Sequence, residues 1–224
     1  MNIALIGYGK MGHIIEAIAQ KRGHKVVCII DQDNLGDFES EAFASADVAI
    51  EFTTPQTAEQ NIRRAWAAGV PVVCGTTGWD VESLKQQLLH YPTLSLMWSS
   101  NYSVGVNILF ALNKQLAKFM EKYPAYKPSM TEVHHVHKLD APSGTAKTLQ
   151  EAIGDERLAI GDIESIREGE VPGIHTVVWD SEVDTLSISH SAKSREGFAL
   201  GAVIAAEWMK GKTGWHEFGE MIGY

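Results

Sequence analysis

Cysteine is scarce in this chain: two in 224 residues, Cys28 and Cys74, far apart and each inside an apolar run. That spacing carries no metal motif, and two small buried thiols suit a reducing cytoplasm. Positive charge is also in short supply. Nineteen Lys and Arg against 28 Asp and Glu give a formal net charge of −9. A chain of that sign is a poor general binder of nucleic acid or of an anionic membrane. No apolar run reaches the length of a membrane-spanning helix. "MNIALIGYG" enters a strand pattern at once, without the charged and long apolar regions of a secretory signal. Repeats, low-complexity tracts and long charge runs are missing. So are the Gly-x-Ser-x-Gly elbow of hydrolases and the His-Glu-x-x-His helix of zinc enzymes, and no metal is expected. The remainder is ordinary globular protein: 45% hydrophobic, and long enough for one large or two small domains.

The first hundred residues alternate in type. Short apolar runs at 2–6, 25–31, 47–52, 70–75 and 94–98 read as strands. Helical spacing at 13–22, 56–69 and 80–91 fills three of the gaps. Such alternation predicts a parallel, doubly wound sheet. Between the first strand and first helix lies "GYGKMG": Gly7, Tyr8, Gly9, Lys10, Met11, Gly12. A lone Gly-x-Gly-x-x-Gly is weak evidence, but this one follows a strand, opens a helix and precedes Asp31 at the end of strand two. Gly7 permits the tight turn, Gly9 lets backbone approach a pyrophosphate, and Gly12 allows close helix–strand packing. The helix N-terminus attracts phosphate charge, and Asp31 suits a ribose diol. The predicted fold is therefore a Rossmann-type dinucleotide-binding domain. Asp31 is followed by Gln32, which offers no charge to a 2′-phosphate. That favours NADH over NADPH, with Lys10 as the cation that would allow either.

Two more loops follow predicted strands: "CGTTGW" with Gly75, Thr76 and Thr77, and "SSNYSVGVN" with Ser99, Ser100, Asn101 and Tyr102. Ligands of open α/β sheets bind at that edge. Gly75 to Thr77 can approach a nicotinamide ribose, and Asn101 and Tyr102 the nicotinamide itself. Plain turn chemistry is the competing reading for each.

After Asn101 the pattern changes. A long helix at 108–123 precedes strand-like stretches at 129–136, 174–179 and 184–192, with one helix, 145–154, between. In the last strand Leu186 and Ile188 share a face. This predicts a second, α+β domain with a mixed or antiparallel sheet. The helix at 198–211 is expected to return to the first domain. The division is thus 1–103, completed by 198–224, and 104–197 for substrate binding and oligomerisation.

The densest chemistry lies in "EVHHVHKLDAPSGTA", 132–146. His134, His135, His137 and Lys138 concentrate potential positive charge in an acidic chain, which suggests a small anionic ligand. Ser143 is a plausible N-cap of the helix that follows, and a helix N-terminus favours a carboxylate. Neighbouring strand residues face opposite ways, so His134 and His135 need not share a job. A metal site and ordinary surface histidines are the competing readings.

"GYGKMG", "CGTTGW", "SNYSVGVN" and above all "EVHHVHKLDAPSGTA" resemble the dihydrodipicolinate reductases of lysine and diaminopimelate synthesis, in the same order along nearly the whole chain. The resemblance implies reduction of a cyclic dicarboxylate by NADH or NADPH, in the cytoplasm, by a homotetramer joined through the second domain's sheet. It implies that His134 is the catalytic proton donor or acceptor and Lys138 the general acid. His135 would bind substrate, and Gly144 and Thr145 would clamp a carboxylate. It matches Gly7 to Gly12, Asp31, Gly75 to Thr77 and Ser99 to Tyr102 to the cofactor positions. Another two-domain amino-acid or semialdehyde dehydrogenase, or a dinucleotide sensor without turnover, is the alternative. A sensor has no need of Lys138 ahead of a carboxylate-binding turn.

Overall fold

A computed structural model describes residues 1–91, 93–153 and 161–224. The chain forms two compact units, Met1–Ser103 with Phe198–Tyr224, and Val104–Gly197.

The first unit holds strands β1 (Asn2–Ile6), β2 (Lys25–Ile30), β3 (Val48–Glu51), β4 (Val72–Cys74) and β5 (Ser95–Trp98). Helices α1 (Lys10–Lys21), α2 (Glu41–Ala44), α3 (Ala58–Ala67) and α4 (Val81–Leu88) connect them, with a 3₁₀ turn at Leu35–Glu39. The strands read as near-continuous apolar runs because both faces of a parallel sheet are covered. Ile3, Ala4, Leu5 and Ile6 are all buried, as are Val48, Ala49 and Ile50. Helix α5 (Val104–Met120), strand β6 (Lys127–His134), helix α6 (Gly144–Glu151) and strands β7 (Glu164–Arg167), β8 (Ile174–Asp180) and β9 (Thr185–Ser191) build the second unit. Helix α7 (Glu196–Met209), strand β10 (Gly214–Glu217) and helix α8 (Phe218–Ile222) bring the chain back to the first.

All pairings in the six-stranded sheet are parallel, in the order β10-β5-β4-β3-β1-β2. The chain moves from β1 to β2 on one side and returns to β3 on the other. The switch point, where doubly wound sheets bind ligands, therefore lies at the C-terminal ends of β1 and β3. The sixth strand, "GWHE", carries too little apolar pattern to be read from sequence. Helix α7 is apolar nearly all round and buries Ala199, Gly201, Ala202, Val203, Ala205, Ala206 and Met209. It sits so close to the loop after β5 that a Cβ on Gly201 would lie 1.6 Å from the Tyr102 carbonyl oxygen.

The second sheet is mixed, in the order β7-β6-β8-β9. Strand β6 pairs antiparallel with β8 and parallel with β7. β7, "ESIR", is a further strand that sequence reading passes over. The core here joins α5, α6 and the inward face of the sheet through Leu109, Phe110, Met130, Leu149, Val177 and Trp179. Burying each large side chain contributes roughly 1.5–3 kcal/mol. β9 is an edge strand. Ile188 packs on the core, but Leu186 is exposed, so their shared face is only half covered. Of the helix expected at 145–154, Gly154 lies outside the described residues.

Candidate active site

In the first unit a cavity of about 420 Å³ opens at the switch point. The loops after β1, β2 and β3 line it with Gly7, Tyr8, Gly9, Asp31, Gln32, Thr53, Thr54 and Thr57, and helix α3 adds Asn61. The glycines have separate reasons. Gly7 adopts φ +92°, and a Cβ there would strike the Phe52 carbonyl oxygen at 2.1 Å. A Cβ on Gly12 would meet the Gly7 carbonyl oxygen at 2.5 Å, so it must be bare for α1 to pack. Gly9 has no atom near its missing Cβ and is exposed at the N-cap of α1, with no side-chain cap. A ligand's phosphates can therefore reach the first-turn amides. Lys10 is exposed, and Met11 is half-buried behind it. Asp31 is exposed at the rim, where one carboxylate oxygen accepts the Gln32 amide at 2.8 Å. Open backbone at Gly9, a helix N-terminus and an acid at the end of β2 fit a dinucleotide.

The loops at 75–77 and 99–102 lie at the ends of β4 and β5. Here three of the expected positions also have a structural role. Gly75 is bare because the Phe52 ring occupies the place of its side chain, 2.2 Å from a built Cβ. The Thr76 hydroxyl donates to Glu51 at 2.7 Å and accepts the Thr53 amide at 2.8 Å, and its carbonyl takes the indole N–H of Trp79 and Trp98. The Tyr102 hydroxyl donates to the Cys74 and Met97 carbonyls at 2.9 and 3.2 Å, and its ring packs edge-on to Phe218. Strand-end carbonyls need donors once buried, and these side chains supply them. Thr77 and Ser100 remain exposed. Ser99 and Asn101 are tied to one another, and the Asn101 side-chain oxygen accepts the Ser103 amide at 2.8 Å. At the hub of these loops lies Glu51, which is fully buried. Its carboxylate accepts from the hydroxyls of Thr53 and Thr76 and the thiol of Cys74. Burial, with the Glu51 charge, holds the Cys74 thiol well above its usual pKa, so this cysteine is inert.

The second unit holds a denser cluster. Glu132 and His134 stand two apart on β6 and share its buried face with Met130. One Glu132 oxygen, Oε1, accepts from Arg167 Nη2 at 3.0 Å and from the Ser143 amide at 3.3 Å. The other, Oε2, lies 2.9 Å from His134 Nδ1 and 3.9 Å from His175 Nε2. The His134 contact is close but lacks hydrogen-bond alignment, so it is an electrostatic pairing. Burial tends to raise the Glu132 pKa, but bonds from Ser143, Ser165 and Arg167 and the field of His134 win and hold it low. Burial holds His134 below the usual histidine range against the pull of Glu132, and Lys138 adds to the lowering. His175 is pushed to about 4, by burial first and then by His134. These three side chains bring donor atoms within 4.8 Å of one another, the spacing of a metal site. The cationic partner of Glu132 is already supplied by Arg167.

The remaining residues of the motif surround this cluster. The peptide bond Ala141–Pro142 is cis. Ser143 caps α6 by accepting the Ala146 amide at 3.2 Å, and the same hydroxyl meets His175 Nε2 at 3.1 Å. The N-terminus of α6, with Gly144 and Thr145, is thus pinned to the buried cluster. Space above Gly144 is open. Lys138 reaches Asp140 at 2.8 Å, so its ammonium sits where a carboxylate is accepted. His135 is half-buried and stacks near His137, which is exposed and paired with Glu170 at 2.9 Å. Sequence reasoning missed Arg167 and His175. The buried series His175, Val177 and Trp179 on β8 held a signal, since a histidine sharing an apolar face needs a polar partner.

Residues 1–102 match the family described as "Dihydrodipicolinate reductase, N-terminus", and residues 105–222 match "Dihydrodipicolinate reductase, C-terminus". The chain belongs to the dihydrodipicolinate reductase family. Among curated dihydrodipicolinate reductases, it is 44% identical to the 4-hydroxy-tetrahydrodipicolinate reductase of Christiangramia forsetii, over 96% of this chain and 94% of the relative. It is 34% identical to the Natronomonas pharaonis enzyme of the same name, over 99% and 100%. The dipicolinate-bound dihydrodipicolinate reductase of Paenisporosarcina sp. TG-14 shares the fold, with a TM-score of 0.77 at 20% identity over 97% of both chains. Aspartate semialdehyde dehydrogenase II of Vibrio cholerae shares it more distantly, at 0.60 and 12% over 93% of this chain and 97% of that one.

Proposed function

We infer that this chain is a pyridine-nucleotide-dependent oxidoreductase that reduces 4-hydroxy-tetrahydrodipicolinate to tetrahydrodipicolinate, with loss of water, in lysine and diaminopimelate synthesis. The observation that carries the reading is the segment 132–146: a buried histidine, a lysine facing a carboxylate, and a capped helix N-terminus within fifteen residues. A reduced nicotinamide, when bound, supplies the hydride. Gly7 to Gly12 and Asp31 hold the dinucleotide, and Thr77 and the main chain at 99–102 flank it. Gly75, Thr76 and Tyr102 contribute by fixing those loops. Lys138 attracts a substrate carboxylate in exchange for Asp140 and acts as general acid, and His134 moves the second proton. Gly144 and Thr145 clamp the other carboxylate at the dipole of α6, with His135 beside them.

NADH is the preferred cofactor in this reading, with NADPH accepted. Asp31 lines the cavity and is followed by Gln32, which offers no charge to a 2′-phosphate. The half-covered edge strand β9 supports a homotetramer joined through this sheet, which light scattering would test. No helix among the described residues is long and apolar enough to cross a membrane. Steady oxidation of NADH with the dicarboxylate substrate tests the whole reading. A chain that binds NADH tightly but shows no turnover would be the sensor instead.

A further inference from the structure

His134 has two ring nitrogens, and the structure treats them differently. Nδ1 faces Oε2 of the buried Glu132 at 2.9 Å. An ionised carboxylate oxygen at that distance attracts a ring N–H and repels a ring lone pair. Nε2 faces Gly173. A Cβ built on Gly173 would lie 3.1 Å from Nε2 and 3.3 Å from Cδ2, so any larger residue would cover that nitrogen. Gly173 also has φ +150°, a backbone state that strains other residues. Glu132 in turn is held by Arg167 and the Ser143 amide on its far oxygen, and Arg167 donates to the Asp140 carbonyl at 2.7 Å.

We propose that Glu132 is a positioning residue that keeps His134 in the tautomer with Nδ1–H turned inward, and that Gly173 keeps Nε2 uncovered for proton transfer. The inference deepens the reading of His134 as a proton-transfer residue and rests on it. Around His134, the ionisable groups are Glu132 on its own strand, Lys138 and Asp140 on the following loop, Arg167 on β7 and His175 on β8. Among these, Glu132 is the nearest negative charge. Neutralising it makes the imidazolium less favourable, whichever way the proton travels. Both an acid and a base role therefore give the same sign.

The experiment is nitrogen-15 NMR of histidine-labelled full-length protein, without substrate, together with pH profiles of kcat/KM. Wild type should show Nδ1 of His134 protonated in the neutral ring. A wild-type Nε2–H tautomer would overturn the proposal without any variant having to fold. In Glu132→Gln, the His134 titration should move down by about one pH unit or more, and the matching limb of the rate profile should move with it. Glu132→Asp should restore part of the shift. A folded Glu132→Gln that titrates like wild type would also overturn it. If instead His134→Gln keeps full turnover, the assignment of His134 to proton transfer fails, while the tautomer measurement still reports on Glu132 directly.

Discussion

Two glutamates, Glu51 and Glu132, are both fully buried at or near the C-terminal end of a strand, yet they answer to different partners. Glu51 is surrounded by neutral donors, the hydroxyls of Thr53 and Thr76 and the thiol of Cys74. Glu132 accepts from neutral Ser143 and Ser165 too, but it also faces groups that are charged or can become so: Arg167, His134 and His175. Neutral donors anchor a carboxylate and tie loops together without making the site respond to protons. Charged donors do both. The first unit thus carries a rigid hub under the proposed cofactor loops, and the second an electrostatically live one beside the proposed proton-transfer residues.

The sharpest way to break that contrast is Lys138→Ala. Loss of a general acid typically costs about 10²–10⁴-fold in rate, and KM should rise with the lost carboxylate contact. NADH titration should be unchanged, because the nucleotide cavity belongs to the other unit. Near-normal turnover would remove the chemical half of the comparison.

Acid should then separate the two units. His175 binds its proton at about 4 when folded against 6.5 when unfolded. The unfolded chain therefore takes up a proton that the folded one refuses. Stability is full above pH 6.5 and falls as pH drops toward 4, by roughly 3 kcal/mol from this residue alone. Burial lowers His134 and His190 as well, in the same direction. Glu132, whose folded pKa is depressed, adds its loss only below about 4.5. Hydrogen exchange between pH 6.5 and 4 should show β6 and β8 losing protection well before β1 and β3. A uniform loss across both sheets would erase the difference.

Glu51→Ala probes the neutral hub. Each buried donor left unpaired costs about 1–3 kcal/mol, and the loops at 53 and 76 should loosen. Denaturant melting and NADH affinity should both weaken, whereas the His134 titration should not move. Smallest of all, Asp31→Ala should narrow the proposed preference for NADH over NADPH by about tenfold, near 1.4 kcal/mol, as judged by kcat/KM with each cofactor.

Much of this was legible in the sequence because local pattern carries it. β1 to β5 announce themselves as apolar runs, and the glycine turn is explained by sterics at Gly7 and Gly12 and by open backbone at Gly9. β7 and β10 were not, since "ESIR" and "GWHE" become strands only when neighbouring strands offer them hydrogen bonds. The proposed catalytic motif stood out as a run of like residues, but its supports did not. Arg167 and His175 reach Glu132 from 35 and 43 positions away, and no spacing rule spans such a gap. Thr76 and Tyr102 hid a structural role that no local pattern announces. They sit on the ligand edge of the sheet, and the Thr76 hydroxyl also donates to the buried Glu51 carboxylate while that of Tyr102 donates to backbone carbonyls.

The return of α7 and β10 to the first unit has a consequence for how the chain is made. The second unit is continuous from 104 to 197, so it can close as soon as those residues leave the ribosome. The first unit is started earlier and cannot finish then. Its edge strand spans 214–217, and its loop after β5 needs Gly201 against Tyr102. During translation the half-built nucleotide domain must wait, with β5 unpaired on one side, while nearly a hundred residues of another domain are threaded out and folded. The domain begun first is completed last, and one edge of β5 stays open until β10 arrives to pair with it.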